Sequence, residues 1–130
     1  MSKILIVDDD MDLLNQQKIF LEAKGYTVET AESMQEGLEK LENFIPDLIL
    51  ADLMMEHYDS GFVFCKKVKD REDRKHIPII MQTGAAKEMG FTFDLKGKTD
   101  KDWIKVDEVL TKPVPMEDLE GKISQYLKSR

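Results

Sequence analysis

Short apolar runs alternate along this chain with stretches whose hydrophobic residues fall three or four apart. Lys3–Val7 is a continuous apolar run of the kind expected for a strand covered on both faces. Met11–Lys24 follows with Leu13/Phe20 and Leu14/Leu21 each seven apart on one helical face, and Gly25 is its stop signal. Thr27–Ala31 reads as a second, more polar strand suited to a sheet edge. Ser33-Met-Gln-Glu36 is a capping box, after which Met34, Leu38, Leu41 and Ile45 keep helical spacing up to Pro46. Asp47–Asp52 is a third buried strand, and Phe62, Cys65 and Val68 mark a third helix ending in the charged stretch Asp70–His76. Pro78–Gln82 is a fourth strand and Val106–Thr111 a weaker fifth. Met116, Leu119, Ile123, Tyr126 and Leu127 follow a 3–4 rhythm, with Pro115 favourable in the first turn. Between Thr83 and Val106 the pattern lapses, and only a short helix near Ala85–Met89 is expected. No internal repeat interrupts the order.

Strands alternating with helices in this way predict an α/β domain, a doubly wound parallel sheet with helices on both faces. The length of 130 residues suits one domain over residues 1–130. With 26 acidic against 19 basic residues the net charge is −7. Basic residues alternate with acids, so no patch suited to nucleic acid or anionic lipid is expected. The one cysteine, Cys65, excludes an internal disulfide and a cysteine-based zinc site. The sequence leads one to expect neither a secretory signal nor a membrane-spanning run, and a cytoplasmic location is expected.

Ligands of doubly wound folds bind beyond the carboxyl ends of the strands, at the switch point of strand order. Here the first strand closes with Asp8, Asp9 and Asp10, the third with Asp52, the fourth with Thr83 and the fifth with Lys112. Clustered carboxylates repel one another unless a cation sits among them, and a hard ion held by oxygens is what Mg²⁺ prefers. An ionised aspartate beside such a metal can attack a phosphoryl group in line, while an ammonium and a hydroxyl neutralise the equatorial oxygens.

The runs I-L-I-V-D-D-D, P-D-L-I-L-A-D-L-M-M, P-I-I-M-Q-T-G-A and L-T-K-P-V resemble the receiver domain of two-component response regulators, over essentially the whole chain. The resemblance implies a flavodoxin-like sheet in the order 2-1-3-4-5. It implies that Asp52 accepts a phosphoryl group from a histidine kinase or phosphotransfer protein. Asp9, Asp52 and the backbone carbonyl of Met54 would bind Mg²⁺ directly, with Asp8 acting through a water. Thr83 would bond a phosphoryl oxygen on activation, and Lys112 would pair with the phosphoryl group. The partners implied are that kinase or phosphotransfer protein and a downstream protein of unknown identity, the chain itself being a monomer or a weak phosphorylation-dependent dimer. It would catalyse only its own phosphorylation and dephosphorylation, not the turnover of a metabolite.

Several positions depart from the family pattern. Glu56 stands where a proline is usual, and Gly61 comes one residue late, which points to a one-residue insertion in the loop His57–Ser60. Val109 replaces an aromatic residue that swings inward on activation. The segment before Lys112 is long and carries Gly90, Phe91, Phe93, Gly97 and Trp103, read either as a loop packed on its own aromatics or as a partner surface. Met54 and Ala85 occupy positions that tune hydrolysis in the family, and neither can orient a water by hydrogen bonding. His57 and His76 are expected to be solvated, and Cys65 to be a buried, inert thiol.

Two other readings stand beside the receiver. Asp8-Asp9-Asp10 also resembles the D-x-D opening of haloacid dehalogenase-type phosphohydrolases, with Asp8 as nucleophile and Asp10 as acid/base. A receiver-like scaffold that works without phosphorylation is the third. The three aspartates could also do no more than cap the first helix.

Overall fold

In the computed structural model, which describes residues 2–52, 60–83, 107–112 and 114–128, five strands carry side chains that alternate between two apolar layers. The strands are β1 (Lys3–Val7), β2 (Thr27–Ala31), β3 (Leu48–Asp52), β4 (Ile79–Thr83) and β5 (Glu108–Thr111). All pair in parallel in the order β2-β1-β3-β4-β5. The helices are α1 (Met11–Ala23), α2 (Met34–Lys40), α3 (Ser60–Lys69) and α4 (Met116–Lys128). The expected sheet order is therefore the observed one.

Period-two geometry sends successive strand side chains to opposite faces. Ile4, Ile6, Leu48, Leu50 and Ile80 pack with Leu14 and Leu21 of α1 and Leu119 and Ile123 of α4. Leu5, Val7, Ile49, Ala51, Ile79 and Met81 pack with Phe64, Cys65 and Val68 of α3 and Leu41 beyond α2. The central strands are thus buried on both sides, which is why they read as unbroken aliphatic runs. At the edges, Thr27 is exposed and Glu29 and Thr30 are half-buried, as the polar character of β2 predicts.

The helix ends follow local chemistry. Asp10 caps α1, its carboxylate accepting from the Leu13 N–H at 3.1 Å. The helix stops at Lys24–Gly25, where Gly25 takes φ +99°, a left-handed conformation that only glycine adopts without steric cost. Ser33 caps α2 through the Glu36 N–H, and the Glu36 carboxylate accepts in return from the Glu32 N–H. That helix ends at Lys40, short of the expected Ile45. Its last turn tightens, with the Glu42 and Asn43 amides bonding three residues back to Glu39 and Lys40. Pro46 disfavours helical backbone at Ile45, which is left 54% exposed. Ser60 is the first residue of α3 rather than part of the preceding loop.

At Gly37, α2 comes so close to β1 and α3 that an added Cβ would lie 2.9 Å from Phe64 Cε1 and 3.0 Å from Val7 Cγ2. At the opposite end of the sheet from the strand-end carboxylates, Lys69 Nζ reaches the carbonyls of Lys75 and Ile77 and the Asp107 carboxylate. Asp107 also accepts from the Ile79 N–H at 2.8 Å, tying α3 to the start of β4 and β5.

Candidate phosphoacceptor site

The site is the continuation of one face of the sheet past its last apolar layer. Ile6 is followed on that face by Asp8, Leu50 by Asp52, Ile80 by Gln82 and Leu110 by Lys112. The register sets Asp52 beside Gln82, and Val7 beside Ala51 immediately before the two aspartates. Asp8 and Asp52 therefore flank the β1–β3 junction, where the chain order reverses and a ligand crevice is expected.

Asp8, Asp9 and Asp52 each present a carboxylate oxygen within 4.8 Å of the others. Asp8 is 1% exposed and Asp52 8%, while Asp9 opens to solvent. Lys112 joins the two buried carboxylates, its Nζ 2.9 Å from Asp8 Oδ2 and 3.1 Å from Asp52 Oδ1. The lysine is set by its backbone, whose N–H donates to the Thr83 carbonyl at 2.9 Å. Thr83 is itself 1% exposed and closes β4, the strand beside β3. The five expected residues, Asp8, Asp9, Asp52, Thr83 and Lys112, thus come together at the carboxyl ends of four strands.

The aspartate run divides its work. Asp8 Oδ1 accepts from the Asp10 N–H at 2.9 Å, and its other oxygen takes the lysine. Asp10 turns its carboxylate to the start of α1, so the capping reading holds for this one residue of the three. Asp9 stays at the mouth.

The electrostatics follow from three acids around one ammonium. Burial, with the neighbouring Asp8 charge adding to it, pushes the Asp52 carboxyl up to about 6, against the pull of Lys112. Asp9 is also raised, by its partial burial and by the charge of Asp8. Burial works against the charged form of Lys112, but hydrogen bonding to Asp8 and the charges of Asp52 and Asp8 outweigh it and hold the ammonium above its usual range. The donor set is all oxygen, carries several negative charges and keeps one exposed member, which fits a hard divalent ion that retains waters.

The family model of the response regulator receiver domain matches residues 4–124. The chain belongs to this receiver family. Among curated relatives, the alkaline phosphatase synthesis transcriptional regulatory protein PhoP of Bacillus subtilis is 31% identical over 97% of this chain and 48% of its own length. The regulatory protein VanR of Enterococcus faecium is likewise 31% identical, over 97% of this chain and 50% of its own. The chain spans about half the length of these relatives. A CheY-like receiver domain protein from Methanospirillum hungatei superposes with a TM-score of 0.81 at 32% identity, covering 99% of this chain and 95% of that one. The chemotaxis response regulator CheY4 of Vibrio cholerae gives 0.81 at 28% identity, covering 97% and 98%.

As a receiver domain the protein has two residues that motif reading passed over, Gln17 and Gln82. Both are buried on the site's face of the sheet, joined by a 3.0 Å hydrogen bond from Gln17 Nε2 to Gln82 Oε1. Their signal was present: Gln17 lies on the apolar stripe between Leu14 and Leu21, and Gln82 on the inward face after Ile80. Val109 is half-buried against the layer under α2 and α3, filling with a small aliphatic group the position where an aromatic was expected. Cys65 is fully buried and burial pushes its thiol up, as expected of an inert thiol. His76 is exposed. The Met54 carbonyl, Glu56, His57, Ala85 and the segment from Gly90 to Trp103 lie outside the described residues. Among the described residues, no helix is long and apolar enough to cross a membrane.

Proposed function

We propose that Asp52 accepts a phosphoryl group from a histidine kinase or phosphotransfer protein, and that the modified domain binds a downstream protein. The observation that carries this reading is the double ion pair of Lys112 with Asp8 and Asp52 in a buried, carboxylate-lined crevice. An Asp52 oxygen forms the new O–P bond as the donor's P–N bond breaks, and the imidazole leaves with that electron pair. At neutral pH Asp52 is largely ionised, so it can attack without a general base. Lys112, already 3.1 Å from the attacking carboxylate, is placed to pair with the charge carried by the phosphoryl oxygens. Asp9, Asp52 and the Met54 carbonyl would hold Mg²⁺, with Asp8 acting through a water. Bound there, Mg²⁺ supplies positive charge to the phosphoryl oxygens and relieves repulsion among the carboxylates.

Phosphorylation adds a second negative charge at Asp52. Contacts of Thr83 and Lys112 with the phosphoryl group would favour one of two conformers, giving a signalling switch with no metabolite turnover. The phosphohydrolase reading receives less support. Its nucleophile, Asp8, has both oxygens engaged, and its acid/base, Asp10, is spent on the α1 cap. Incubation with acetyl phosphate tests the proposal: a single phosphoryl gain in Mg²⁺, absent in EDTA, is expected. No gain with either acetyl phosphate or a phosphorylated histidine donor would overturn it in favour of the scaffold.

A further inference from the structure

Two amides are buried on the face of the sheet that carries the carboxylates. Gln82 follows Ile80 on the face shared by α1 and α4, is 2% exposed, and pairs in register with Asp52 on one side and Leu110 on the other. Gln17 reaches this face from α1 and is 1% exposed. Gln17 Nε2 donates to Gln82 Oε1 at 3.0 Å. Gln17 Oε1 is buried without a hydrogen-bond partner, one of two such side-chain atoms among the described residues.

This pair does not serve stability. A buried amide hydrogen bond contributes about 0.5–1.5 kcal/mol net, and a buried acceptor left unpaired costs about 1–3 kcal/mol. Two apolar side chains of the same shape would do as well or better. A buried polar group kept at such a cost calls for a function. Its placement suggests one. With Oε1 committed to α1, the remaining end of the Gln82 amide is its NH₂ group, and the charged neighbour across the strand register is Asp52.

We propose that Gln82 is a hydrogen-bond donor to the group reacting at Asp52, and that Gln17 is a positioning residue acting through it. Gln17 Nε2 holds the oxygen end of the Gln82 amide toward α1. The Gln82 NH₂ group then donates to an oxygen of the phosphoryl group as it is carried onto Asp52. No proton moves; the amide stabilises charge on the transferring group. The inference rests on Asp52 being the phosphoacceptor.

The test is the rate of phosphoryl gain by the full chain at saturating Mg²⁺ across acetyl phosphate concentrations, read by intact mass. Gln82→Met and Gln17→Met keep the volume and remove the amides. Gln82→Met is expected to lower the maximal rate at least tenfold and leave the half-saturating concentration within twofold. Gln17→Met should lose less, and the double variant should be no slower than Gln82→Met alone. Melting temperatures and their rise with Mg²⁺ should match wild type or exceed it, which a site collapse would not allow. Wild-type rates in both single variants would overturn the inference and leave the pair structural. Multiplicative losses in the double variant would overturn the role of Gln17. If Gln82→Met does not fold, Gln17→Met, which leaves β4 untouched, decides alone. Wild type failing to gain a phosphoryl group at Asp52 is a different result, and it removes the phosphoacceptor reading and this inference together.

Discussion

Replacing Asp52 should make the metal-free protein more stable. Asp52 is raised from 3.8 to about 6 by burial and by the charge of Asp8, so its ionised form is worse off in the folded than in the unfolded chain. A folded-state value above the unfolded one means the native state binds the extra proton between them. Stability from this group is therefore fully present below pH 3.8 and is lost as pH rises through about 6. Two units correspond to roughly 3 kcal/mol above both values, an upper figure that relaxation around the site reduces. Asp52→Asn removes the charge and keeps the shape, and Lys112 retains its 2.9 Å partner in Asp8. At pH 7.5 in EDTA the variant should be more stable by about 1–3 kcal/mol, or some 4–12 °C in melting temperature for a domain of this size. At pH 4.5 the gain should shrink to about a third, because folded wild-type Asp52 is then already protonated while the unfolded chain still ionises. The difference between the two proteins in urea unfolding at both pH values is the assay. A variant no more stable than wild type at pH 7.5, or a gain undiminished at pH 4.5, would refute the electrostatic reasoning.

Three further outcomes are expected. Lys112→Met leaves two buried carboxylates without their ammonium, so urea unfolding at pH 8 in EDTA should show a loss of about 3–5 kcal/mol; the loss should be smaller at pH 5, where Asp52 takes up a proton. Millimolar Mg²⁺ should raise the melting temperature of wild type by binding the folded state, and Asp9→Asn should blunt that rise; a flat melting temperature in wild type would count against the metal site. Gly37→Ala forces a Cβ to 2.9 Å from Phe64 and 3.0 Å from Val7, and its urea midpoint should report about 1–3 kcal/mol of destabilisation with an unchanged slope.

The parts of this molecule that were legible from sequence are those where one physical demand dominates. β1, β3 and β4 are buried on both faces, so short of their carboxyl ends they are filled by apolar side chains, and their runs announced themselves. The site was legible because each residue closes a strand, and strand ends are where this architecture gathers its chemistry. What was misjudged or missed involves competing demands. α2 keeps an apolar rhythm through Leu41, Phe44 and Ile45, but Pro46 and a tightened turn end it at Lys40. Asp8, Asp9 and Asp10 look alike in sequence, and only the alternation of β1 and the α1 cap separate their three roles. Gln17 and Gln82 are polar residues on apolar stripes, and motif reading discounts them because it attends to charge and to the aliphatic pattern.

The most direct test of the account is to map the phosphoryl group itself. The chain is phosphorylated with acetyl phosphate and Mg²⁺, reduced with borohydride to convert an aspartyl phosphate to homoserine, digested and sequenced by mass spectrometry. The account predicts homoserine at position 52 and at no other aspartate. Homoserine at position 8 would contradict it and restore the phosphohydrolase reading.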